Sequence, residues 1–537
     1  MNLLHDQLIT VQLHDGSLCQ QCLPEVMAAL ASDQVQDFPG LRPHQRTAWH
    51  SLLVQLGALC CLEQEANTLS VSPVEWRDWL LSLTPTWPNG DAWALTATDL
   101  SQPAFLQAPE PTGSLADFKE ITCPDDLDIL ASSKNHDVKQ STMVRASPEH
   151  WLFALVTLQT QQGFLGAGNY GVSRMNGGFS NRPFFGVRPG GGLGRWLQRD
   201  IRELLLGRAQ LLEDYPAYPA NGGVALLWLA TWDGSTSVRP PDLDPWYVEI
   251  CRRVRFEARD GLGIVAHTTG SKVARIDTKG LLGRTGDPWA PLVGDGSDFK
   301  ALTTQRHTFS YRSLVPLLFP FGEQSDAVRR APLQIVSDND DLDGLRIVVS
   351  ALVRGQGKTE GFFEREIPVS RATRRFLISV PTDAAANLAS ERVKDASALS
   401  REVLFPAALA LFTGAPTADE RKRDDDTAKD RTRAVCMEFE RAVDQDFFEE
   451  LTTELDAVDD AAAQRLIRDG WLQLIADRAR RAFSAAMDRA PDSAARHYRT
   501  KARSLLLFDA KLHRHLGTRL KASASSSPLD QQQRNTI

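Results

Sequence analysis

The sequence predicts an α+β protein, with a large mixed α/β N-terminal domain that contains β-hairpins, followed by a C-terminal four-helix bundle. Strand-like runs and hairpin turns are confined to the first part of the chain, and four long helical stretches with short or polar connections follow them. A chain of 537 residues is also long enough for two or more domains. We therefore assign the N-terminal domain, the bundle and a disordered tail to residues 1–370, 371–522 and 523–537.

The first half of the N-terminal domain is predicted to be mostly helical. It opens with a β-hairpin, because LLHDQLITVQL runs into a turn at Asp15-Gly16. Further along, Ser147 and Pro148 are typical of a helix cap and a first helical turn, and this helix leads into a glycine-rich segment. Helical patterns are found at 24–31, 43–62, 73–83, 147–160 and 200–211.

The second half of this domain, from about residue 225 to 369, is predicted to be β-structure. WYVEICRRVRFEA alternates in polarity and ends at Asp260-Gly261, a hairpin signal. The runs 345–353 and 362–369 are strand-like, and RGQGKTEG joins them. This pattern predicts a hairpin with a long polar tip that projects from the body of the domain.

The bundle prediction depends on four helical stretches beyond residue 371. Leu466, Ile467, Leu474 and Ile475 recur at the spacing of one buried helix face. Breaks occur at Thr413–Pro416, Asp456–Asp460 and Ala490–Asp492, and the helices are predicted at 383–412, 427–456, 459–489 and 492–516.

Composition and charge limit the class of protein. Hydrophobic content of 42% and charged content of 24% are ordinary for a soluble globular chain. A net charge of -8 argues against a free-standing DNA coat, but it allows a subunit that contacts nucleic acid through one patch. Seven scattered cysteines suit a reducing compartment. Because neither a signal peptide nor an apolar run of about eighteen residues is found, we expect a cytoplasmic protein without membrane contact.

The segment between Glu149 and Asp200 holds fifty residues without a carboxylate, and glycine is frequent in its middle. Glycine lets a backbone approach another molecule closely, arginine binds phosphate bidentately, and asparagine can donate and accept at base edges. The segment is therefore predicted to be a flexible loop that contacts nucleic acid, the alternative being an ordinary surface loop with glycine turns. Its formal charges are Arg174, Arg182, Arg188, Arg195 and Arg199.

Three further motifs are too incomplete to predict a cofactor or a metal. The GAGNYG run at 166–171 matches a dinucleotide-binding pattern, but a helix rather than a strand is predicted before it. The GKT run at 357–359 lacks the first glycine of a P-loop, since Leu352 occupies that position. Cys19 and Cys22 have no second pair to complete a tetrahedral zinc site.

His136-Asp137 leaves an alternative open, a stand-alone metal-dependent nuclease or phosphohydrolase that uses this pair and the cysteines. Such a site needs further ligands on facing helices, and the surrounding SSKNHDVKQS is a polar loop. Contacts to a phosphate or a partner by Lys134, Asn135 and Lys139 fit this loop better, and a plain surface loop fits equally well.

Several segments together make the chain resemble the large subunit, CasA, of the type I-E CRISPR Cascade complex. They are the opening MNLL with its hairpin, KNHDVK at 134–139 and GFLGAGNYGVSRMNGG at 163–178. The order of parts agrees as well. The resemblance implies a non-catalytic subunit that recognises the PAM, a short motif beside the target in double-stranded DNA. It further implies that the subunit promotes duplex opening and R-loop formation and recruits the helicase-nuclease. Its partners would be the guide RNA, the target duplex and other Cascade subunits.

The resemblance also suggests individual residues. Gly166, Gly168 and Asn169 would form a DNA-contacting glycine loop, and Lys272 is the candidate for a lysine finger. Gln356, with Lys358 beside it, is the candidate for a wedge that separates the strands. From the acid-poor segment, Arg174 and Asn176 are expected to add phosphate or groove contacts. The loop formed by Lys134, Asn135, His136 and Lys139 would contact the 5′ handle of the guide and neighbouring subunits.

Two departures from the family pattern matter. Some members have a four-cysteine zinc site, whereas only Cys251 lies near the corresponding positions here, so no zinc is predicted. The candidate wedge is also longer than in the family pattern and carries Lys358, so the PAM preference of this protein is expected to differ from that of better-known members.

Overall fold

The protein divides into two compact units. The first comprises Met1–Phe309 with Gly322–Ile367, and the second comprises Ser310–Phe321 with Pro368–Ile537. The computed structural model describes residues 1–128, 130, 143, 146–261, 263–295, 298–320, 327–340, 343–355, 358–378, 383–414, 426–490 and 494–524.

The described helices of the first unit surround one hydrophobic core. The second of them, Arg46–Glu63, is buried from Thr47 to Cys61 on every face, as expected for a helix inside a large core. The five helices α1 to α5 are Leu23–Ala31, Arg46–Glu63, Pro73–Ser82, Pro148–Gln161 and Leu193–Asp214. Short 3-10 turns lie at Pro43–Gln45, Asp91–Trp93, Pro124–Asp126, Leu227–Leu229, Pro240–Asp242, Lys279–Leu281, Arg306–Phe309 and Pro332–Gln334.

Small sheets complete the first unit. Their orders are β2-β1-β3, β4-β9-β8, β14-β13-β5 and β11-β10-β12, and β6 pairs with β7 in parallel. The strands β1 to β7 are Ile9–Leu13, Leu18–Gln21, Val35–Asp37, Lys119–Ile121, Phe184–Arg188, Val224–Leu226 and Leu243–Val248. The strands β8 to β14 are Arg253–Arg259, Gly263–Thr269, Leu292–Val293, Lys300–Ala301, Val328–Arg329, Arg346–Gly355 and Lys358–Pro368.

The hairpin β13–β14 differs from its prediction. The sequence predicts an eight-residue polar tip, RGQGKTEG, but Arg354 and Gly355 end β13 and residues 358–361 begin β14. Thr359 is fully buried, so this part of the hairpin packs against the body and does not project. The prediction of a long tip is therefore wrong, because ladder pairing satisfies backbone groups that a loop would leave to water.

The second unit contains the four predicted helices. The first is continuous, with a π-helical turn at Leu399–Leu404 between two α-helical parts. The unit also includes a short helix, Tyr311–Leu318, whose Tyr311 ring stacks on Phe447 at 4.5 Å. The α-helices α6 to α12 are Tyr311–Leu318, Arg371–Arg374, Asp383–Ala398, Phe405–Thr413, Asp426–Asp456, Ala461–Arg489 and Ala494–Ala524.

The predicted fold class is thus confirmed, with two details corrected. In α11 the buried face is formed by Trp471, Leu472 and Ile475, whereas Leu466 is 72% exposed. The last helix continues to Ala524, beyond the predicted start of the tail. The boundary at residue 370 stays a prediction, and the grouping of α6 with the later helices was not anticipated.

One helix in the described part of the chain, Asp383–Thr413, is long and apolar enough to cross a membrane by length and composition. More than half of its most apolar window, 56%, is buried inside the protein. A core helix of a bundle meets the same criteria, because it too must present apolar surface to its neighbours.

Candidate nucleic-acid interface

The glycine-rich segment forms a loop that is closed at its neck. The amide of Phe164 donates to the carbonyl oxygen of Gly178 at 3.0 Å, and the amide of Val172 donates to that of Gln162 at 2.9 Å. A Cβ atom on Gly163 would lie 2.2 Å from the Ser180 carbonyl oxygen. The two limbs therefore touch backbone to backbone, which only glycine permits.

The tip of the loop is a tight turn. The amide of Leu165 donates to the Asn169 carbonyl oxygen at 2.9 Å, and the amide of Asn169 donates to the Gly166 carbonyl oxygen at 3.0 Å. Gly166 and Gly168 have φ angles of 125° and 82°, a region that favours glycine. Ala167 and Asn169 are exposed. Three predicted DNA-contacting residues, Gly166, Gly168 and Asn169, therefore meet at one surface turn, which we call the glycine tip.

A second loop joins the glycine tip and brings Lys272 to it. The amide of Ser271 donates to the Gly168 carbonyl oxygen at 3.0 Å. The Tyr170 hydroxyl donates to the Lys272 carbonyl oxygen, also at 3.0 Å, across 102 residues of sequence. The Lys272 amide is fixed in turn by the Gly234 carbonyl oxygen at 2.7 Å. Its side chain is exposed and forms no ion pair with any residue that the structure describes.

A cleft of about 410 Å³ borders the glycine tip. Asn169, Gly270 and Lys119 line it, together with the carboxylates of Asp117 and Asp126. The cleft is therefore mixed in charge. Sequence reasoning missed Lys119, because a lone lysine in a short strand gives no signal of its position. It also missed Tyr170, although this residue lies inside the glycine run that the resemblance identified.

The structure corrects the prediction for Arg174. This side chain is 1% exposed, and its guanidinium lies over the Tyr247 ring at 4.1 Å from the centroid. Nη2 donates to the Tyr247 carbonyl oxygen at 3.0 Å, and Nε lies 3.8 Å from Oε1 of Glu249. Burial raises the pKa of the Glu249 carboxyl, and the charge of Arg174 opposes that rise. Arg174 is therefore a core residue, and the prediction that it contacts DNA is wrong.

Asn176 also has a role inside the fold. Its Nδ2 donates to the Ala301 carbonyl oxygen at 2.7 Å, and its Oδ1 accepts from the Thr303 hydroxyl at 2.7 Å. Because both ends of the amide are engaged, Asn176 fastens the neck of the loop to β11. It offers neither end to a base edge in this arrangement, contrary to the prediction.

The segment between Glu149 and Asp200 has no acidic residue in its sequence, but acidic side chains from other parts of the chain surround it in the fold. Each of its five arginines lies within 4 Å of a carboxylate. Five of these six carboxylates come from distant parts of the chain, and only Asp200 is adjacent in sequence. The pairs are Arg174–Glu249 at 3.8 Å, Arg182–Asp287, Arg188–Glu366 at 3.3 Å, Arg195–Asp33 at 3.6 Å, and Arg199 with Asp200 at 3.0 Å and Asp340 at 2.9 Å. The charge argument for a basic DNA-binding loop is therefore wrong for these arginines.

Some predicted site residues lie outside the described part of the chain. They are Gln356 and the loop of Lys134, Asn135, His136 and Lys139. Lys358 begins β14, and only its backbone is described.

The described residues contain no group of three or more His, Cys, Asp or Glu side chains that could hold a metal ion. The thiol of Cys251 is buried and donates to the Leu158 carbonyl oxygen at 3.1 Å. Burial raises the pKa of this thiol to about 11, which disfavours the thiolate that a metal needs. The metal-dependent alternative therefore gains no support from this part of the chain.

Comparisons with known proteins agree over most of the chain. The family model of CRISPR-associated protein Cse1 matches residues 2–490. Three similar solved structures are Cse1 from Acidimicrobium ferrooxidans, Cse1 from Thermobifida fusca and CasA (Cse1) from Thermus thermophilus. Their identities are 16%, 15% and 14%, with TM-scores of 0.63, 0.62 and 0.61. The matches cover 96%, 97% and 96% of this chain and 98%, 98% and 99% of those chains, which shows a shared fold. No curated protein matches this sequence.

Proposed function

Because this chain belongs to the family of CRISPR-associated protein Cse1, the CasA large subunit of type I-E Cascade, we propose that it recognises the PAM in double-stranded DNA and promotes duplex opening. The proposal makes it a non-catalytic, cytoplasmic subunit. Its partners are the guide RNA, the target duplex, the other Cascade subunits and a helicase-nuclease recruited after the R-loop forms. The loop of Lys134, Asn135, His136 and Lys139 is proposed to contact the guide and neighbouring subunits.

One observation carries most of the weight: hydrogen bonds hold the glycine tip and Lys272 together at one exposed place. The minor groove of B-DNA is about 6 Å wide and presents a degenerate pattern of acceptors. A narrow turn without bulky side chains can enter such a groove, and one amide and one ammonium can donate to its acceptors. Gly168, Asn169 and Lys272 supply this combination.

The hairpin β13–β14 is the proposed wedge. Its strand β13 is fastened to the segment that closes the glycine loop, because Asn181 donates its amide to the Leu352 carbonyl oxygen at 3.0 Å. Arg354 likewise donates its amide to the Ser180 hydroxyl at 3.1 Å. The hairpin and the glycine loop therefore share one support. A wedge at Gln356 needs to bias only the first steps of opening, because each step costs about 1.4 kcal/mol of stacking and RNA–DNA pairing returns a similar amount.

The glycine tip can be tested with two nearly isosteric variants, Gly168→Asp and Gly168→Asn. Both side chains tolerate positive φ better than other residues do, and a Cβ at this position would have its nearest neighbour at 3.7 Å. We expect the assembled complex with Gly168→Asp to bind a PAM duplex at least about tenfold more weakly than Gly168→Asn, since only Asp repels phosphate. Circular dichroism would confirm the fold. If both variants bind as tightly as the wild type, the glycine tip is not in the groove.

The wedge can be tested with Gln356→Ala. We expect this variant to slow R-loop formation on an intact duplex and to leave binding to a target with a pre-opened bubble unchanged. A fluorescent base beside the PAM would report the opening rate. Equal opening rates for the variant and the wild type on intact duplex would show that Gln356 is not the wedge. That result would not bear on the role of the glycine tip.

The metal-dependent alternative has a simple test. Purified protein incubated with Mg²⁺ or Mn²⁺ should leave single- and double-stranded DNA intact. Cleavage that a His136→Ala variant loses would favour the alternative.

A further inference from the structure

A cavity of about 100 Å³ that is open to solvent on one side lies in the first unit, apart from the residues of the glycine tip. Its walls are mostly aromatic and aliphatic, and they come from α2, α5 and the sheet that contains β13. The main wall residues are Phe38, Trp49, Leu53, Trp196, Leu197 and Val348. A dry apolar cavity of about 150 Å³ can hold benzene, so this one has room for a compact aliphatic group.

The interior of this cavity offers little for a charged ligand. His50 is the one titratable side chain in the interior of the cavity. Its Nε2 lies 2.9 Å from Oδ2 of Asp200, and its ring stacks on the Trp196 ring with 4.0 Å between the centroids. The indole N–H groups of Trp49 and Trp196 have no hydrogen-bond acceptor within the described residues. Unsatisfied buried donors are uncommon in native proteins, and a bound ligand is one of their explanations.

The remaining titratable side chains that line the cavity consist of two ion pairs and one further carboxylate. Arg46 pairs with Asp37 at 3.1 Å, and Arg188 pairs with Glu366 at 3.3 Å. Glu366 also pairs at 2.8 Å with Arg346, which does not line the cavity. Glu364 forms no direct hydrogen bond or ion pair with the part of the chain that the structure describes, although the charges of Arg46 and Arg188 act on it. The five lining groups therefore leave one negative charge, and it belongs to Glu364.

Strand geometry places Glu364 and Glu366 on the same face of β14, because side chains two residues apart point to the same side. The intervening Arg365 donates to the Phe309 carbonyl oxygen at 3.0 Å. The Glu364 residue as a whole is exposed, so a ligand can reach it from solvent. Partial burial of the carboxyl and the nearby Glu366 raise the pKa of Glu364, and the charges of Arg46 and Arg188 partly oppose that rise, as a bound ammonium group would.

We propose that this cavity binds a small amphipathic amine, with a compact apolar body among the aromatic walls and an ammonium group at Glu364. A neutral apolar molecule would gain nothing from the Glu364 carboxylate, and an anion would be repelled by it. A primary ammonium group supplies three donors to a carboxylate, and its apolar body gains from leaving water. The amine belongs either to a free small molecule or to the amino terminus of a chain that begins with an aliphatic residue.

The test uses 3-methylbutylamine as the probe and 3-methylbutanol as its neutral counterpart, with the full chain at fixed ionic strength. Saturation-transfer NMR on the ligand would give the dissociation constants. We expect saturable binding of the amine and about tenfold weaker binding of the alcohol, because charge-assisted hydrogen bonds are the stronger kind. Leucinamide and a tripeptide that begins with leucine would then distinguish a free small molecule from the amino terminus of a chain. Binding of both compounds would indicate a chain terminus, and binding of leucinamide alone would indicate a small molecule.

Two matched variants locate the site. Glu364→Gln removes the charge without changing the shape and should weaken amine binding about tenfold, whereas Glu360→Gln makes the same change on β14 outside the cavity and should have no effect. Leu193→Trp should fill the cavity from its half-buried position and abolish binding. The proposal is overturned if the wild type shows no saturable binding, if Glu364→Gln binds the amine as well as the wild type, or if the alcohol binds as tightly as the amine.

Discussion

The glycine tip and the arginines that follow it belong to one acid-free segment, yet they have opposite surroundings. At the tip, Ala167 and Asn169 are exposed and the fixed groups are backbone amides and carbonyls. In the rest of the segment, Arg174, Arg182 and Arg199 are buried with carboxylates from elsewhere. A buried guanidinium needs acceptors for its donors, and in this segment they include carboxylates that the fold brings from elsewhere in the chain. Local charge in a sequence therefore predicts surface charge only where the residues reach the surface.

The largest expected effect comes from the buried arginines. Arg182 donates from Nε and Nη2 to Asp287, and both side chains are almost fully buried. Arg182→Ala should lower the free energy of unfolding by about 3–5 kcal/mol, because it leaves a buried carboxylate unpaired. Arg195→Ala removes an exposed pair at 3.6 Å and should change that free energy by less than about 1 kcal/mol. Denaturant titrations of the two variants would compare them, and equal losses would contradict the distinction between core and surface arginines.

The neck of the loop should show the next largest effect. In Gly163→Ala the new methyl group would meet the Ser180 carbonyl oxygen, and we expect a loss of about 1–3 kcal/mol from overpacking. Gly207→Ala is the matched control, because this glycine lies inside α5 with nothing within 4 Å of the added Cβ. That variant should gain about 0.5–1 kcal/mol from higher helix propensity. Thermal melts in parallel would test both, and a neutral Gly163→Ala would show that the neck can open.

At the glycine tip we expect the smallest effect on stability and the clearest effect on DNA binding. Lys272→Ala should leave the free energy of unfolding within about 0.5 kcal/mol of the wild type, as surface changes usually do. The slope of log affinity against log salt for a PAM duplex should become shallower by about one, since one positive charge that displaces counterions from the duplex is lost. Lys279→Ala changes an exposed lysine in a 3-10 turn away from the tip and serves as the control. Identical slopes for the two variants would exclude Lys272 from the interface.

Much of the fold could be predicted because its signals are local. The four helices of the second unit follow from breaks such as Ala490-Pro491 and from long helical patterns, and all four are found. The π-helical turn at Leu399–Leu404 gives no such signal, since it changes the hydrogen-bond register and not the composition. Leu466 was assigned to the wrong face because it lies near the start of α11, where the described helix is largely exposed.

The candidate site was less predictable because its parts meet through long-range contacts. The closeness of Gly168 and Lys272 depends on the hydrogen bond from Ser271 and on Tyr170, and neither contact has a sequence pattern. The hairpin tip was overestimated because Gly355 and Gly357 resemble loop residues, although pairing with β14 keeps Gly355 in a strand. Tertiary pairing decided the conformation where local preference was weak.

The closed neck of the glycine loop has a consequence for the thermodynamics of binding. Fixing the backbone of a residue costs about 1–2 kcal/mol of conformational entropy, and glycine loses the most. In this chain the contacts at Gly163 and between Phe164 and Gly178 order the loop as the protein folds. That cost is therefore met before any ligand arrives. Binding at the glycine tip should resemble the docking of a rigid body, with an association rate set by orientation and charge and not by the ordering of a loop.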